Sequence, residues 1–250
     1  MHRPLLGVLA VTLACGGGAD QAGGGREQTP GAAAAAPAGG ATITGTVTFT
    51  GTPPQNPAID MSEEPTCRAK YPEQPRDPVV AVNNGKLANV FVHVTGGLPG
   101  GTAFPTPQTP VVLDQSGCLY HPRVLGVMAN QPIEIRNGDA VLHNIKAVPA
   151  ANRGFNISQP TEGMRSERRF SQPEAAIPIE CSVHGWMHAR VFVMDAPYFA
   201  TSGDDGSFQL TGLPAGTYTL EAWHETLGTR TATVTVTEGG TANLSFAFGA

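Results

Sequence analysis

The sequence predicts an all-β protein made of two small sandwiches. Short runs of alternating or continuous apolar residues recur along the chain, as in TITGTVTFT at 42–50. Turn sequences such as NNGK, DDGS and LPAG separate these runs. Glycine and proline account for 31 and 22 of the 250 residues and lie among the apolar runs, which is typical of a turn-rich β protein.

The apolar runs define the expected strands, and one short segment, 161–170, is the best candidate for a helix. The expected strands are 42–50, 89–95, 110–113, 133–136, 141–148, 176–181, 189–194, 207–211, 217–222, 229–237 and 242–248.

The N-terminal sequence MHRPLLGVLAVTLAC (1–15) has the layout of a signal peptide: Arg3, a short apolar stretch and then Cys15. The end of this segment resembles a bacterial lipoprotein signal, which implies that Cys15 is acylated. Simple secretion stays open, because Thr12 stands where that signal usually has Leu. Residues 16–41, rich in Gly, Ala and Pro, are expected to form a flexible tether. We therefore expect an exported protein, periplasmic or on the cell surface, whose only membrane contact is a lipid anchor.

The charge of the chain excludes one class of partner. Only 14% of the residues are charged and the formal net charge is -5. A nucleic-acid-binding surface needs clustered Lys and Arg to neutralise phosphates, so we exclude nucleic acid as a partner.

Cysteine usage points to one special thiol. The chain has 4 Cys. If Cys15 is acylated, three remain, and in an oxidising compartment an odd thiol needs a reason. A disulfide between Cys67 and Cys118 would close a loop of about 50 residues, contribute roughly 4 kcal/mol and leave Cys181 free. A disulfide that includes Cys181 stays open.

Residues 181–187, CSVHGWM, place Cys181, His184 and Met187 in one short loop. His143, in NGDAVLHN, lies in an earlier predicted strand. If the two segments meet at one end of a sandwich, they supply two imidazoles, a thiolate and a weak thioether, a set that suits copper in both oxidation states. A zinc site would take four closed Cys or His ligands, and only one Cys is local. A Cys–His nucleophile would need an activating third group that the sequence does not offer.

Each of these residues taken alone also fits a structural role. His143 could be a half-buried histidine, Met187 a core residue and Cys181 an inert thiol. Their combination favours a metal site. His188, directly after Met187, is interpreted as a surface residue, although it stays open as an alternative axial ligand.

The segments NGDAVLHN and CSVHGWM resemble those of cupredoxins, the small type 1 copper proteins, in particular the amicyanin and plastocyanin types. The resemblance implies a Greek-key sandwich over 105–195 that binds one copper ion through His143, Cys181, His184 and Met187. It implies that the amide of Asn144 ties the ligand loops together.

The C-terminal sequence, which includes DGSFQLTGLPAGTYTLEAWH, resembles carboxypeptidase regulatory-like or transthyretin-like sandwiches. A suitable opening strand for such a sandwich lies far upstream, in ITGTVTFTG. We therefore expect the copper domain to be inserted into a discontinuous sandwich of residues 42–104 and 196–250. The alternative is three consecutive pieces, in which 42–104 decorates the copper domain.

The cupredoxin resemblance implies a carrier of single electrons between redox partner proteins outside the cytoplasm, and not an enzyme. We expect His184 to be the imidazole nearest the surface and the gateway for electrons, with Val183, Gly185 and Trp186 as an apolar docking patch for transient partners. Two other functions stay open: copper storage or delivery, and an adhesion or carbohydrate-binding sandwich without a working copper site.

Overall fold

A computed structural model describes residues 39–249. The predicted signal peptide, Cys15 and nearly all of the predicted tether lie outside these residues. The all-β prediction is confirmed for the described part of the chain, where the regular structure is almost entirely strand. The single helix described there has four residues, and no helix in residues 39–249 is long and apolar enough to cross a membrane.

Most elements follow one another with short connections; the exceptions are the long segment 51–81 between the first two strands, which contains a short helix, and residues 97–110. In chain order they are β1 (Ala41–Thr50), α1 (Pro65–Arg68), β2 (Val82–Asn83), β3 (Lys86–Leu87), β4 (Phe91–Gly96), β5 (Val111–Ser116), β6 (Leu119–His121), β7 (Val124–Met128), β8 (Ile133–Asn137), β9 (His143–Ala147), β10 (Phe155–Gln159), β11 (Arg165–Arg168), β12 (Glu174–Glu180), β13 (His188–Met194), β14 (Phe199–Thr201), β15 (Ser207–Leu213), β16 (Gly216–His224), β17 (Gly228–Val236), β18 (Thr241–Asn243) and β19 (Phe246–Gly249).

Strands from both ends of the described chain form one sandwich, which we name the terminal sandwich. One sheet has the order β15-β1-β3-β2, with β18 and β19 also paired to β1, and the other has the order β14-β4-β16-β17. Strand β1 alternates buried and half-buried residues, because every second residue of ATITGTVTFT faces the core. Apolar side chains of both sheets, such as Ile43, Val92 and Leu220, form its core.

The strands between them, β5 to β13, form a second sandwich, which we name the central sandwich. Its sheets have the orders β10-β9-β12-β13-β7 and β11-β8-β5-β6. Leu113 and Ile135 of one sheet share a core with Ile145 and Val191 of the other. In the described residues these strands pair only among themselves. The inserted arrangement expected from the sequence stays a prediction.

The long segment between β1 and β2 belongs physically to the central sandwich. We name residues 56–77 the cover segment. Its two ends meet at a bridge between Ala58 and Arg76. Ile59, Met61 and Cys67 are buried in the core of the central sandwich, although the sequence assigned all of 42–104 to the other sandwich. The cover segment has no run of alternating apolar residues, so its sequence does not indicate which core it joins.

The expected helix at 161–170 is wrong, because Arg165–Arg168 is strand β11, paired antiparallel with β8. The predicted strands also omit β10 and the short strands β2, β3, β6, β7 and β14. Strand β11 is exposed on alternate residues and carries mainly charged side chains, so it shows no apolar period.

Aromatic residues join the two sandwiches. Phe192 of β13 stacks on Phe91 of β4 with ring centroids 4.0 Å apart. Gly126 of β7 lies against this cluster, since a Cβ at its position would come within 2.6 Å of the Phe199 ring. Arg123, buried at the edge of the same interface, pairs with Asp77 at 2.5 Å and also with Glu225.

Candidate metal centre

Two segments at one end of the central sandwich carry the predicted ligands. His143 is the first residue of β9. Residues 181–187 connect β12 to β13, and we name them the ligand loop. The ligand loop is closed on itself, because the Cys181 N–H donates to the Met187 carbonyl at 3.3 Å and the Met187 N–H to the His184 carbonyl at 2.9 Å.

Three of the four predicted ligands converge. The ligand atoms of His143, Cys181 and His184 lie within 4.8 Å of one another, and all three residues are buried. Nδ1 of His143 is 3.0 Å from Nδ1 of His184, and the Cys181 sulfur is 3.7 Å from the same His184 nitrogen. Such separations suit donor atoms that would share one ion at bond lengths of about 2.0–2.3 Å.

The fourth predicted ligand, Met187, ends the ligand loop. Its side chain is 0% exposed and belongs to the same core cluster as Cys181. His188 opens β13, pairs in register with Glu180 and is only partly buried. It does not belong to the His/Cys cluster of the described residues.

Asp139 orients the imidazole ring of His143 through a hydrogen bond on the side away from the other candidate ligands. Its carboxylate accepts from the Nε2–H of His143 at 2.9 Å, so the other ring nitrogen, Nδ1, faces His184 and Cys181. Each oxygen of Asp139 has further partners: Lys70 at 2.8 Å, and the N–H groups of Gly117 and Cys118 at 2.9 and 2.7 Å. Burial raises the pKa of Asp139, but these partners together hold it well below its usual range. Asp139 therefore stays ionised and fixes the tautomer of His143.

The turn that supplies two of those N–H groups has an unusual backbone. Gly117 and Cys118 have φ values of 66° and 57°, as in the type I′ turns that join antiparallel strands. This turn connects β5 to β6 and directs both amides at Asp139.

The thiol of Cys181 is polarised by its neighbours. Burial raises its pKa, but hydrogen bonds with His143, His184 and the N–H groups of Asn144 and His184 lower it to about 5. For His143 the directions are reversed. Burial lowers its pKa, but its contacts with Asp139 and Cys181 outweigh burial and raise the pKa above its usual value. Cys181 is thus held as a thiolate at neutral pH, the form that binds metal ions.

Asn144 connects three segments around the thiolate. Its backbone N–H donates to the Cys181 sulfur at 3.4 Å, and its side-chain oxygen accepts from the Ser182 N–H at 3.1 Å. Its amide nitrogen donates to the Ile157 carbonyl at 3.0 Å and to the side chain of Asn156. The ligand loop is therefore fastened to β9 and β10 beside the candidate site.

The predicted gateway and docking patch differ in exposure. The His184 side chain is only 2% exposed, and Oε2 of Glu64 in the cover segment lies 3.6 Å from its Nε2. His143 is 0% exposed, so His184 is the slightly less buried of the two imidazoles, and its role as electron gateway stays a prediction. Val183 is 48% exposed and Gly185 is exposed, whereas Trp186 is half-buried with its ring centroid 5.1 Å from that of His184.

Cys67 and Cys118, the pair favoured from the sequence, form a disulfide, and Cys181 is free and buried. The disulfide lies beside the site, because the Trp186 ring N–H donates to the Cys118 carbonyl at 3.0 Å. A second cluster of Cys118, Asp139 and His143 is no separate metal site, since the sulfur of Cys118 is in the disulfide.

Sequence reasoning missed three charged residues at the site: Asp139, Lys70 and Glu64. Asp139 stands four positions before His143 in the quoted segment NGDAVLHN, and that spacing from a ligand histidine was its one signal. Lys70 and Glu64 reach the site only through the path of the cover segment.

The donor set fits copper better than other metals. Two imidazole nitrogens, one thiolate and a buried Met in the same loop match the His₂Cys set with a weak thioether that is typical of electron-transfer copper sites. Three soft or borderline donors without a fourth strong one do not make a closed structural zinc site.

Comparisons with known proteins give one family model and several partly similar structures. Residues 186–249 match the family model of the carboxypeptidase regulatory-like domain. The matched segment begins inside the ligand loop and runs through β19. A comparison with curated proteins finds no match.

Several solved structures are similar to part of the chain. A copper-containing nitrite reductase from Thermus scotoductus SA-01 is 20% identical over 40% of this chain, with a TM-score of 0.34, and the match spans only 26% of the reductase. A purple cupredoxin from Nitrosopumilus maritimus is 22% identical over 34% of this chain and 98% of its own, with a TM-score of 0.29. A single-site mutant of amicyanin in the Cu(I) form is 16% identical over 41% of this chain and 98% of its own, with a TM-score of 0.31. The C-terminal segment of the chain is thus similar to the carboxypeptidase regulatory-like domain, and the partial structural matches of the chain include cupredoxins.

Proposed function

We propose that this protein is an exported type 1 copper protein that carries single electrons between redox partners outside the cytoplasm. The observation that carries the proposal is the convergence of the ligand atoms of His143, His184 and Cys181 within 4.8 Å in a buried position. Met187, buried at the end of the same loop, is the proposed axial ligand.

The residues of the chain would keep this ligand set in one geometry. Asp139 fixes the tautomer of His143, and Asn144 fastens the ligand loop. Copper in such a set supplies one-electron chemistry, cycling between Cu(I) and Cu(II). A ligand set fastened on several sides resists rearrangement between the two states, which favours electron transfer. In this proposal no substrate is transformed.

Partners would dock where apolar side chains are exposed next to the ligands. Val183 and Leu142, 48% and 42% exposed, directly precede His184 and His143 in the chain. A small apolar patch of this kind suits weak, transient redox encounters. With His184 itself buried, we propose that electrons leave through the ligand loop around Val183 and Gly185.

Export is supported by the disulfide between Cys67 and Cys118, since disulfides persist in oxidising compartments. The proposed signal peptide would direct export, the acylated Cys15 would anchor the protein, and the tether would let it reach its partners.

The test is to add Cu(II) to the purified protein and record the visible spectrum and the electron paramagnetic resonance. We expect an intense thiolate-to-copper band with a narrow copper hyperfine splitting. The band should be lost in Cys181→Ser and kept in His188→Ala, a matched control in the next residue after the ligand loop. A colourless wild-type protein, or a band that survives Cys181→Ser, contradicts the proposal. Rapid loss of copper to a weak chelator would favour copper delivery instead.

A further inference from the structure

The cover segment is fastened to the metal end of the central sandwich at three points. Cys67 forms the disulfide with Cys118. Tyr71 donates its hydroxyl to the Gly117 carbonyl at 2.7 Å, and Lys70 pairs with Asp139 at 2.8 Å. The cover segment is therefore held in place beside both candidate imidazole ligands.

His184 is buried beneath this segment with one polar atom unpartnered. Its side chain is 2% exposed, and its Nε2 has no hydrogen-bond partner within the described residues. A carboxylate oxygen, Oε2 of Glu64, lies 3.6 Å from it on a side chain that is 30% exposed. Glu64 directly precedes the helix α1 that carries Cys67.

An imidazole that binds a metal ion through Nδ1 carries its proton on Nε2. A buried N–H without an acceptor is costly, and metal-binding histidines commonly donate this proton to a carboxylate, a carbonyl or water. His143 already has such an acceptor in Asp139. The described residues offer His184 one at nearly hydrogen-bond distance, Glu64.

We propose that Glu64 is the positioning residue of His184, and that the cover segment closes the metal site with a second carboxylate–histidine pair. The inference rests on the proposed copper function. A carboxylate on each imidazole raises the basicity of the ligands and places negative charge near the ion, and both effects favour Cu(II) over Cu(I).

The first test measures the reduction potential of the copper-loaded full chain. Glu64→Gln removes the charge, and Glu63→Gln makes the same change at the adjacent, exposed position. At a fixed solution potential we expect Glu64→Gln to raise the ratio of Cu(I) to Cu(II) about tenfold, which equals a shift of about 59 mV for a one-electron couple. We expect Glu63→Gln to change the ratio less than twofold and Glu64→Asp to restore part of the effect. Equal ratios in the two Gln variants would overturn the proposal.

The second test needs no copper. Nitrogen NMR of the metal-free protein reports the tautomer and hydrogen bonding of each histidine. We expect the Nε2 signal of His184 to move in Glu64→Gln and to stay unchanged in Glu63→Gln, while that of His143 is unchanged in both. An unchanged His184 signal counts against Glu64, whereas absence of the copper band in the wild-type protein counts against the proposed function, so the two failures are distinguishable.

Discussion

At the scale of single residues, Cys181 is a buried thiol held as a thiolate, because His143, His184 and two backbone amides lower its pKa to about 5 against the effect of burial. We expect the ultraviolet thiolate absorbance of the metal-free protein to titrate with a midpoint near pH 5. An ordinary Cys titrates near about 8.5. His184→Ala should move the midpoint upward, and a wild-type midpoint near the ordinary value would contradict the assignment.

The lowered pKa of Cys181 also makes the free energy of unfolding depend on pH. Because the pKa of Cys181 is lower in the folded than in the unfolded state, its contribution to the free energy of unfolding is fully present above about pH 8.5. That contribution is lost as the pH falls toward 5, the folded value. Cys181→Ser should remove this part of the pH dependence in urea unfolding of the metal-free protein.

Asp139 is the charged residue on which the site most depends, since its side chain is 0% exposed and it contacts His143, Lys70 and two backbone amides. Asp139→Asn leaves these donors with a neutral partner, and we expect the free energy of unfolding to fall by about 3–5 kcal/mol. Urea unfolding of the metal-free protein measures this loss. Lys70→Gln is the control and should cost less, because Lys70 is 36% exposed and leaves Asp139 its other partners. Equal losses in the two variants would show that the ion pair, and not the buried carboxylate, is what matters.

At the scale of elements, the strands that carry the ligands could be predicted from the sequence. The expected strands 141–148, 176–181 and 189–194 correspond closely to β9, β12 and β13, because buried strands show long apolar runs. Strands β10, which pairs with β9, and β11, which pairs with β8, are short and half-exposed, and β11 is mainly charged, so neither shows a long apolar run.

In the candidate site, too, some residues could be predicted from the sequence and others could not. His143, Cys181 and His184 could be found because each stands in a recognisable local spacing. Glu64 and Lys70 could not, since they reach the site through a disulfide and a chain path that only the folded structure defines. Local spacing thus identified the candidate ligands, and tertiary structure adds the charges around them.

The disulfide fastens the cover segment to the β5–β6 turn and makes a testable contribution. Replacing Cys67 and Cys118 together by Ala should lower the free energy of unfolding by about 2–5 kcal/mol, because the unfolded chain gains the entropy of an open loop. Urea unfolding under non-reducing conditions gives the difference. Cys181→Ala, which leaves the disulfide intact, is the comparison at the same pH, and a double variant as stable as the wild-type protein would contradict the expectation.

At the scale of the whole molecule, the two sandwiches are joined through the strand that follows the ligand loop. Phe192 of β13 stacks on Phe91 and meets the Trp223 ring edge-on at 5.0 Å. Arg123 bridges Asp77 of the cover segment and Glu225 of the terminal sandwich. The terminal sandwich therefore supports β13 directly, and we expect the two sandwiches to unfold together.

Phe192→Ala tests this coupling. Loss of a buried aromatic side chain should lower the free energy of unfolding by about 3–5 kcal/mol, and because the lost contacts span the interface, it should also separate the unfolding of the two sandwiches. In a Trp186→Phe background the fluorescence of Trp223 reports on the terminal sandwich, while the reaction of Cys181 with a thiol reagent reports on the central one. Phe246→Ala, inside the core of the terminal sandwich, is the matched control: it should cost a similar amount while leaving the interface contacts in place. If both probes give the same unfolding transition in Phe192→Ala, the two sandwiches still unfold together. The aromatic interface would then not be what couples them.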